Sequence, residues 1–394
     1  MNSKKLKKMV FILGFMAFWA NGDNYAVAPL LIDIAKDLNI EIGKAALSVT
    51  AYMLSFGFFT ILFGPLGDRY GKTRIINIAA FGTAIFSMLG AFAANLPYLI
   101  IVRAVNGAFG AGIFPVTMAL VGESFDNAQR QNVIGKVMGM MFLGGASATA
   151  IGGALAYFGS WRFVYFIYGL AELVLAFTML KTLEKSEPKI EKLNFTKVYT
   201  QALSNKELLT IVSIIFFMGF SIFGSFTYSG KFVQSITNYN ILIVGLILSL
   251  FGIGTVIGGR KAGLVRKSLG NNFLIFAGVL GGISLILLSL TKSAALIACA
   301  LFGFGVSFVF LQSTLVTTAQ EKMPKLRGTA MSLASFNMFV GGGIGTFING
   351  KVLNTFGIEK IYLLASVILF FVGILANLSI RLKTPSNNQI VKQN

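Results

Sequence analysis

The chain has 394 residues, of which 55% are hydrophobic and only 12% charged, and its formal net charge is +19. Soluble domains carry about 25% charged residues, so this composition argues against a soluble enzyme and for a protein embedded in lipid. The basic residues cluster between long apolar runs, which assigns the positive balance to membrane orientation and not to nucleic-acid binding.

A bilayer crossing takes about 20 mostly apolar residues. Runs of that kind predict an all-α membrane protein of twelve transmembrane helices, at about 9–33, 45–66, 75–94, 98–121, 133–155, 162–181, 208–229, 241–260, 272–290, 294–318, 329–349 and 361–381. The first run is interrupted by Asn21, Gly22, Asp23 and Asn24 and has no small-residue cleavage site in the expected place, so it reads as a retained helix and not as a signal peptide. Cys299 is the only cysteine and there is no histidine. No intramolecular disulfide, His-ligated metal site or imidazole relay is therefore expected, and neither a metal nor a cofactor is called for.

Of the 33 Lys and Arg residues, 25 fall in the N-terminus, the C-terminus and alternate loops, seven fall in the intervening loops, and Arg103 lies within helix 4. This is the positive-inside pattern, and it places both termini in the cytoplasm of a multi-pass cell-membrane protein. The polar, Lys/Glu-rich segment 182–207 reads as a cytoplasmic linker between two six-helix halves, 1–181 and 208–394. An internal repeat supports that division. Arg130 precedes Phe158-Gly159 by about the same interval as Arg327 precedes Phe356-Gly357. Two such halves imply a substrate site between them, near the midplane, reached alternately from either side.

The loop between helices 2 and 3 reads Gly64-Pro65-Leu66-Gly67-Asp68-Arg69-Tyr70-Gly71-Lys72-Thr73-Arg74. It resembles the loop signature of the major facilitator superfamily, Gly-x-Leu-Ala-Asp-Arg-x-Gly-Arg-Lys. The resemblance implies a latch on the cytoplasmic side made by Gly64, Asp68, Arg69, Gly71, Lys72 and Arg74, with Arg130 as a loop anchor. Helix 4 carries Arg103-Ala104-Val105-Asn106-Gly107. This resembles the family's Arg-x-x-Gln-Gly motif, with Asn106 in place of Gln, and implies a role for Arg103 in proton coupling. In helix 5, Gly135, Gly144, Gly152 and Gly153 keep the spacing of the antiporter motif, although its Gly-Pro pair has become Ala148-Thr149. That small-residue face is expected to pack closely on helix 8. The family likeness as a whole is to the twelve-helix drug/proton antiporter branch.

Charges inside a bilayer are costly and mark functional sites by default. Arg103 cannot shed its proton and needs a carboxylate or carbonyls nearby. Asp23, read as central in helix 1, and Glu172, central in helix 6, are the candidate acids, so Asp23, Arg103 and Glu172 form the expected proton-coupling set. No Asp or Glu lies well inside helices 7–12. Polar and aromatic groups there and in helix 4 are the expected substrate contacts: Asn106, Phe114, Tyr228, Gln312, Phe336 and Asn337. The expected function is proton-coupled efflux of a small amphipathic compound by a monomer in the bilayer. The alternative is proton-coupled export or import of a sugar, nucleoside or other metabolite. A passive channel is disfavoured by the buried charges, and a membrane enzyme by the lack of a nucleotide-binding loop or metal cluster.

Overall fold

The computed structural model describes residues 3–125, 127–188, 195–324 and 326–381. In chain order the helices are α1 (Ser3–Tyr25), α2 (Leu31–Asp37), α3 (Ile42–Ala45), α4 (Leu47–Tyr70), α5 (Lys72–Gly90), α6 (Leu96–Gly110), α7 (Ile113–Ser124), α8 (Asn127–Phe158) and α9 (Trp161–Thr182). They continue with α10 (Phe195–Leu203), α11 (Lys206–Phe226), α12 (Ser229–Thr237), α13 (Ile241–Leu269), α14 (Phe273–Leu290), α15 (Ala294–Glu321), α16 (Arg327–Phe356) and α17 (Ile358–Arg381). The starts follow local chemistry. Asn95, Asn205 and Asn240 each place a side-chain carbonyl on free N–H groups of the first turn, at 2.9–3.1 Å, as asparagine caps do.

Among the described residues, ten stretches are long and apolar enough to cross a bilayer. One of them, Ile241–Leu290, would run about 75 Å as a single helix at about 1.5 Å per residue. It is two helices, α13 and α14, parted at Gly270 where φ is +51°. Helix α1 carries lysines and the polar Asn21–Asn24 segment, and is less apolar than these ten. Counting α1 and both members of the 241–290 pair gives twelve crossings, with α6–α7 and α11–α12 each a single broken one. The outer face of the bundle bears exposed Ile101, Val174, Phe177, Leu290 and Phe371. Lipid tails cover such side chains without the cost they would meet in water.

The structure corrects the first predicted helix. It ends at Tyr25, not near residue 33, and residues 26–30 form a turn before α2. Pro29 supplies the reason, because its ring lacks an N–H and clashes with the carbonyl four residues back, that of Tyr25. Asp23 thus lies in the last turn of α1 and not in the middle of an unbroken helix. A second proline has a different outcome. Pro65 lies inside α4 and deprives the Ile61 carbonyl of its helical donor. Tyr199 on α10 donates its hydroxyl to that carbonyl at 2.8 Å. Burial pushes the Tyr199 phenol up to about 12, against a pull downward from Ser332, so the group stays protonated and remains a donor.

Successive crossings start from opposite ends of the bundle. One end carries Lys5, Arg69, Lys72, Lys136, Lys206, Arg260 and Lys322, and is called the lysine-rich end below. The other end is closed by two seams. In the first, α8 lies against α13 so tightly that a Cβ on Gly245 would collide with the Thr149 carbonyl, and one on Gly252 with the Ala146 backbone. In the second, α3 and α4 meet α16. Gly43 abuts the Gly350 carbonyl, and Asn354 donates to Glu41 at 2.9 Å.

Candidate functional site

A cavity of about 1180 Å³ opens toward the lysine-rich end, between the crossings that the two seams hold together at the other. Its walls are mostly apolar. Six methionines line it: Met118, Met138, Met140, Met141, Met331 and Met338. Methionine is unbranched and polarisable, and it suits surfaces that must fit several shapes. The floor is a layer of rings. Tyr25, Phe56, Phe223, Phe308 and Phe339 face the cavity. Behind them Phe226 meets Phe251 at 4.4 Å and Phe251 meets Phe304 at 5.2 Å between ring centres. Phe56 and Phe339 approach to 4.1 Å, which ties α4 to α16 through the floor.

Beside the floor lies a sealed charge cluster. Arg103 on α6 is 1% exposed and Asp23 on α1 is 2% exposed. Arg103 Nη1 donates to both carboxylate oxygens of Asp23, at 3.2 and 3.1 Å, and to Asn106 Oδ1 at 2.9 Å. Asn106 in turn donates to the Thr83 carbonyl and hydroxyl at 2.9 and 3.1 Å. The guanidinium is covered by the Tyr52 ring at 4.3 Å and the Tyr165 ring at 5.2 Å, a cation–π sandwich. Its Nε and Nη2 have no hydrogen-bond partner. Glu172 on α9 is fully buried within electrostatic reach of Asp23 and Arg103. It lies beside Thr83 without closing a hydrogen bond to it, so both carboxylate oxygens are unpartnered.

The predicted site residues divide accordingly. Asp23 and Arg103 come together as expected, with Glu172 close by but off the cavity wall. Phe114 and Gln312 line the cavity. Four expected substrate contacts do not, and those assignments are corrected. Asn106 is buried and braces Arg103. Tyr228 is buried and donates to the Thr346 carbonyl at 2.7 Å. Asn337 bonds back to the Leu333 carbonyl at 2.9 Å, and Phe336 packs edge-on against Phe58 at 5.2 Å. The helix-5 glycines divide too. Only Gly153 faces α13, across from Ile241 and Gly245, while Gly144 and Gly152 abut α1 at Phe18 and Ala26, and Gly135 lines the cavity.

The loop after α4 is built around Lys72, which is 3% exposed. Its ammonium meets Asp68 at 2.6 Å and Glu123 on α7 at 2.7 Å. Gly71 has φ +88°, and a Cβ there would strike the Ser186 carbonyl. Thr73 completes the clamp, its N–H donating to Ser186 at 2.8 Å and its hydroxyl to the Glu184 carbonyl at 2.7 Å. Arg69 lies over the Tyr70 ring at 5.0 Å. Gly64 faces Ser332 of α16, and Arg74 stands exposed. The expected latch across the halves is therefore, for its ion pairs, a clamp of α4 and α5 onto α7, with hydrogen bonds to the irregular segment 184–188. The Arg130 side chain lies outside the described residues. Lys72→Met should cost about 1–2 kcal/mol, below the ~3–5 for breaking a fully buried pair because Asp68 and Glu123 are partly exposed. Thermal unfolding in detergent checks this, with Lys72→Arg expected to keep most of the stability.

The sequence pattern of the Major Facilitator Superfamily matches residues 11–346. The chain belongs to the Major Facilitator Superfamily. Relatives include the MFS-type transporter YwfA of Bacillus subtilis, 23% identical over 363 residues, covering 89% of this chain and 87% of that one. Multidrug resistance protein 3 of the same organism is 25% identical over 392 residues, covering 84% and 76%. Two solved structures share the fold. A bacterial homologue of the lysosomal transporter Spinster, in an inward-facing and unoccupied conformation, superposes with a TM-score of 0.82 at 15% identity, over 98% of this chain and 100% of that one. A variant of the nucleoside transporter NupG gives 0.79 at 13% identity, over 95% and 99%. As a superfamily member the chain is a multi-pass membrane transporter of a small molecule. Reading from sequence missed Tyr52, Tyr165 and Thr83 around Arg103, because rings and hydroxyls in an apolar helix carry no pattern of their own. It also missed the wall cations Lys7, Lys136 and Arg260, which look like any other basic loop residues.

Proposed function

We propose that this superfamily member exports a small amphipathic compound in exchange for protons, by alternating access of one cavity. The observation that carries the reading is the sealed cluster of two carboxylates and one guanidinium beside the cavity floor. Asp23, Glu172 and Arg103 sum to zero charge with one proton aboard and to minus one without it. In low dielectric an uncompensated charge is expensive, so gain and loss of that proton is tied to what surrounds the cluster. Apolar walls of Met and Phe favour an amphipathic cargo over a sugar, whose many hydroxyls need many partners.

The positive-inside rule makes the lysine-rich end cytoplasmic. In that orientation the cavity is open inward, and the likeness to an inward-facing solved structure supports the same view. Both Asp23 oxygens accept from Arg103, the arrangement we assign to the inward-open carrier. Six-helix halves 1–181 and 208–394, linked by 182–207 and working as a monomer, would then rock about the cavity. Outside, a proton on Asp23 frees Arg103 and lowers the hold on cargo. The multidrug name of one relative supports export.

The test uses everted vesicles with an imposed proton gradient. Compounds that collapse the gradient on addition are identified with a pH dye, and their uptake is then followed for Asp23→Asn. The variant is expected to lose at least about tenfold of gradient-driven uptake and to keep exchange of cargo without a gradient. Full gradient-driven uptake by Asp23→Asn would sink the assignment.

A further inference from the structure

We propose that the cargo is an amphipathic organic anion, with an apolar, ring-bearing body and one carboxylate-like headgroup, and not the lipophilic cation that a multidrug label suggests. This rests on the reading of the cavity as the transport site, and it is independent of whether protons drive the cycle.

The charged side chains of the cavity wall are Lys7 on α1, Lys136 on α8 and Arg260 on α13. No Asp or Glu is among the described wall residues. All three cations are exposed, and none has a carboxylate within 4.0 Å among the described residues. Their neighbours at the same end are spent differently. Lys5 pairs with Glu184, Lys72 with Asp68 and Glu123, and Lys322 with Glu207. Arg69 and Lys206 at that end also lack a carboxylate among the described residues, but Lys7, Lys136 and Arg260, from three separate helices, are the ones that look into the opening.

The acids nearest the floor cannot serve a cationic cargo in this state. Asp23 has both oxygens on Arg103, and Glu172 is fully buried away from the wall. A cation entering would therefore meet repulsion at the rim and no counter-charge below. An anion would be drawn in, because a cleft lined by one sign of charge with low-dielectric walls concentrates the opposite ion. Deeper in, the rings and methionines accept an apolar body. Asn24 and Gln312 line the cavity, each with an amide oxygen that has no partner and can accept a hydrogen bond from a donor on the body of the cargo. Membrane orientation explains why basic residues are abundant at this end. It needs only their number, and does not require that they face the cavity from three helices without partners.

The test is binding by the full chain in nanodiscs of neutral lipid, by calorimetry at low ionic strength and with no proton gradient. Three probes share one naphthyl-alkyl body and end in a carboxylate, a primary amide or a trimethylammonium. The carboxylate is expected to bind at least about tenfold more tightly than the ammonium, with the ratio falling as salt screens the rim. Combining Lys7→Gln, Lys136→Gln and Arg260→Gln should bring the ratio near one and leave amide binding unchanged, which also shows that the variant is folded. Equal or tighter binding of the ammonium, no binding of the carboxylate, or a ratio that survives the triple substitution would each overturn the proposal. Gradient-driven uptake in vesicles is read separately, so a wrong cargo class and a failure of proton coupling are told apart.

Discussion

Arg103→Met is expected to destabilise the protein by about 3–5 kcal/mol and to abolish transport. Breaking a buried pair from one side leaves the other charge stranded, and that is the costly direction. Here the stranded group is Asp23, 2% exposed, whose two carboxylate oxygens both rest on one guanidinium nitrogen. Asn106 would lose its acceptor role at the same stroke, and the Tyr52 and Tyr165 rings would close on a smaller, neutral side chain. Asp23→Asn should cost less, because Arg103 retains Asn106 and both rings. The double variant is therefore expected to be more stable than Arg103→Met alone, and a double-mutant cycle on thermal unfolding reads the difference. Wild-type stability in Arg103→Met would show that the pair carries no such load.

The second large effect is at the α8–α13 seam. Gly252→Val would drive a branched side chain into the Ala146 backbone, and neither partner is the end of a flexible side chain that could swing away. Overpacking of this kind costs about 1–3 kcal/mol. The helices must separate, so the end of the bundle that the seam closes should open. Cys299 is the only native cysteine and is exposed, so Cys299→Ser gives a clean background. In it, a thiol placed by Thr149→Cys should react slowly with a polar maleimide, and at least about tenfold faster once Gly252→Val is added. An unchanged rate would mean that the seam tolerates the branch.

The long apolar runs made most crossings legible, since little else about a bilayer-spanning chain matters as much as length without charge. The need of Arg103 for an acid was equally plain, because an unpaired guanidinium in lipid is untenable. What could not be read is helix rotation. Tyr228, Asn337 and Asn106 are polar residues in helices whose every face is apolar, so no periodicity says which points at the cavity. Each turned out to bond to protein instead. The end of α1 was hidden for a related reason. Residues 26–32 continue the hydrophobic run, and only Pro29 interrupts it. The loop signature marked Lys72, but its partner Glu123 on α7 became visible only once the fold brought the two together.

The ring floor has an electrical consequence. Aqueous solution filling the cavity carries the potential of its own compartment down to Tyr25 and Phe223, so the membrane voltage does not fall evenly over the bilayer thickness. Most of it drops across the layer between those rings and the far side, where the buried rings of Phe226, Phe251 and Phe304 pack at tilted angles. Moving one elementary charge through the full drop is worth about 2.3 kcal/mol per 100 mV. A field concentrated in so short a span acts hardest on charges that travel through it. The aromatic layer is thus the insulator of the bundle in this conformation: it separates the solution in the cavity from the far side and sets where voltage acts on the protein.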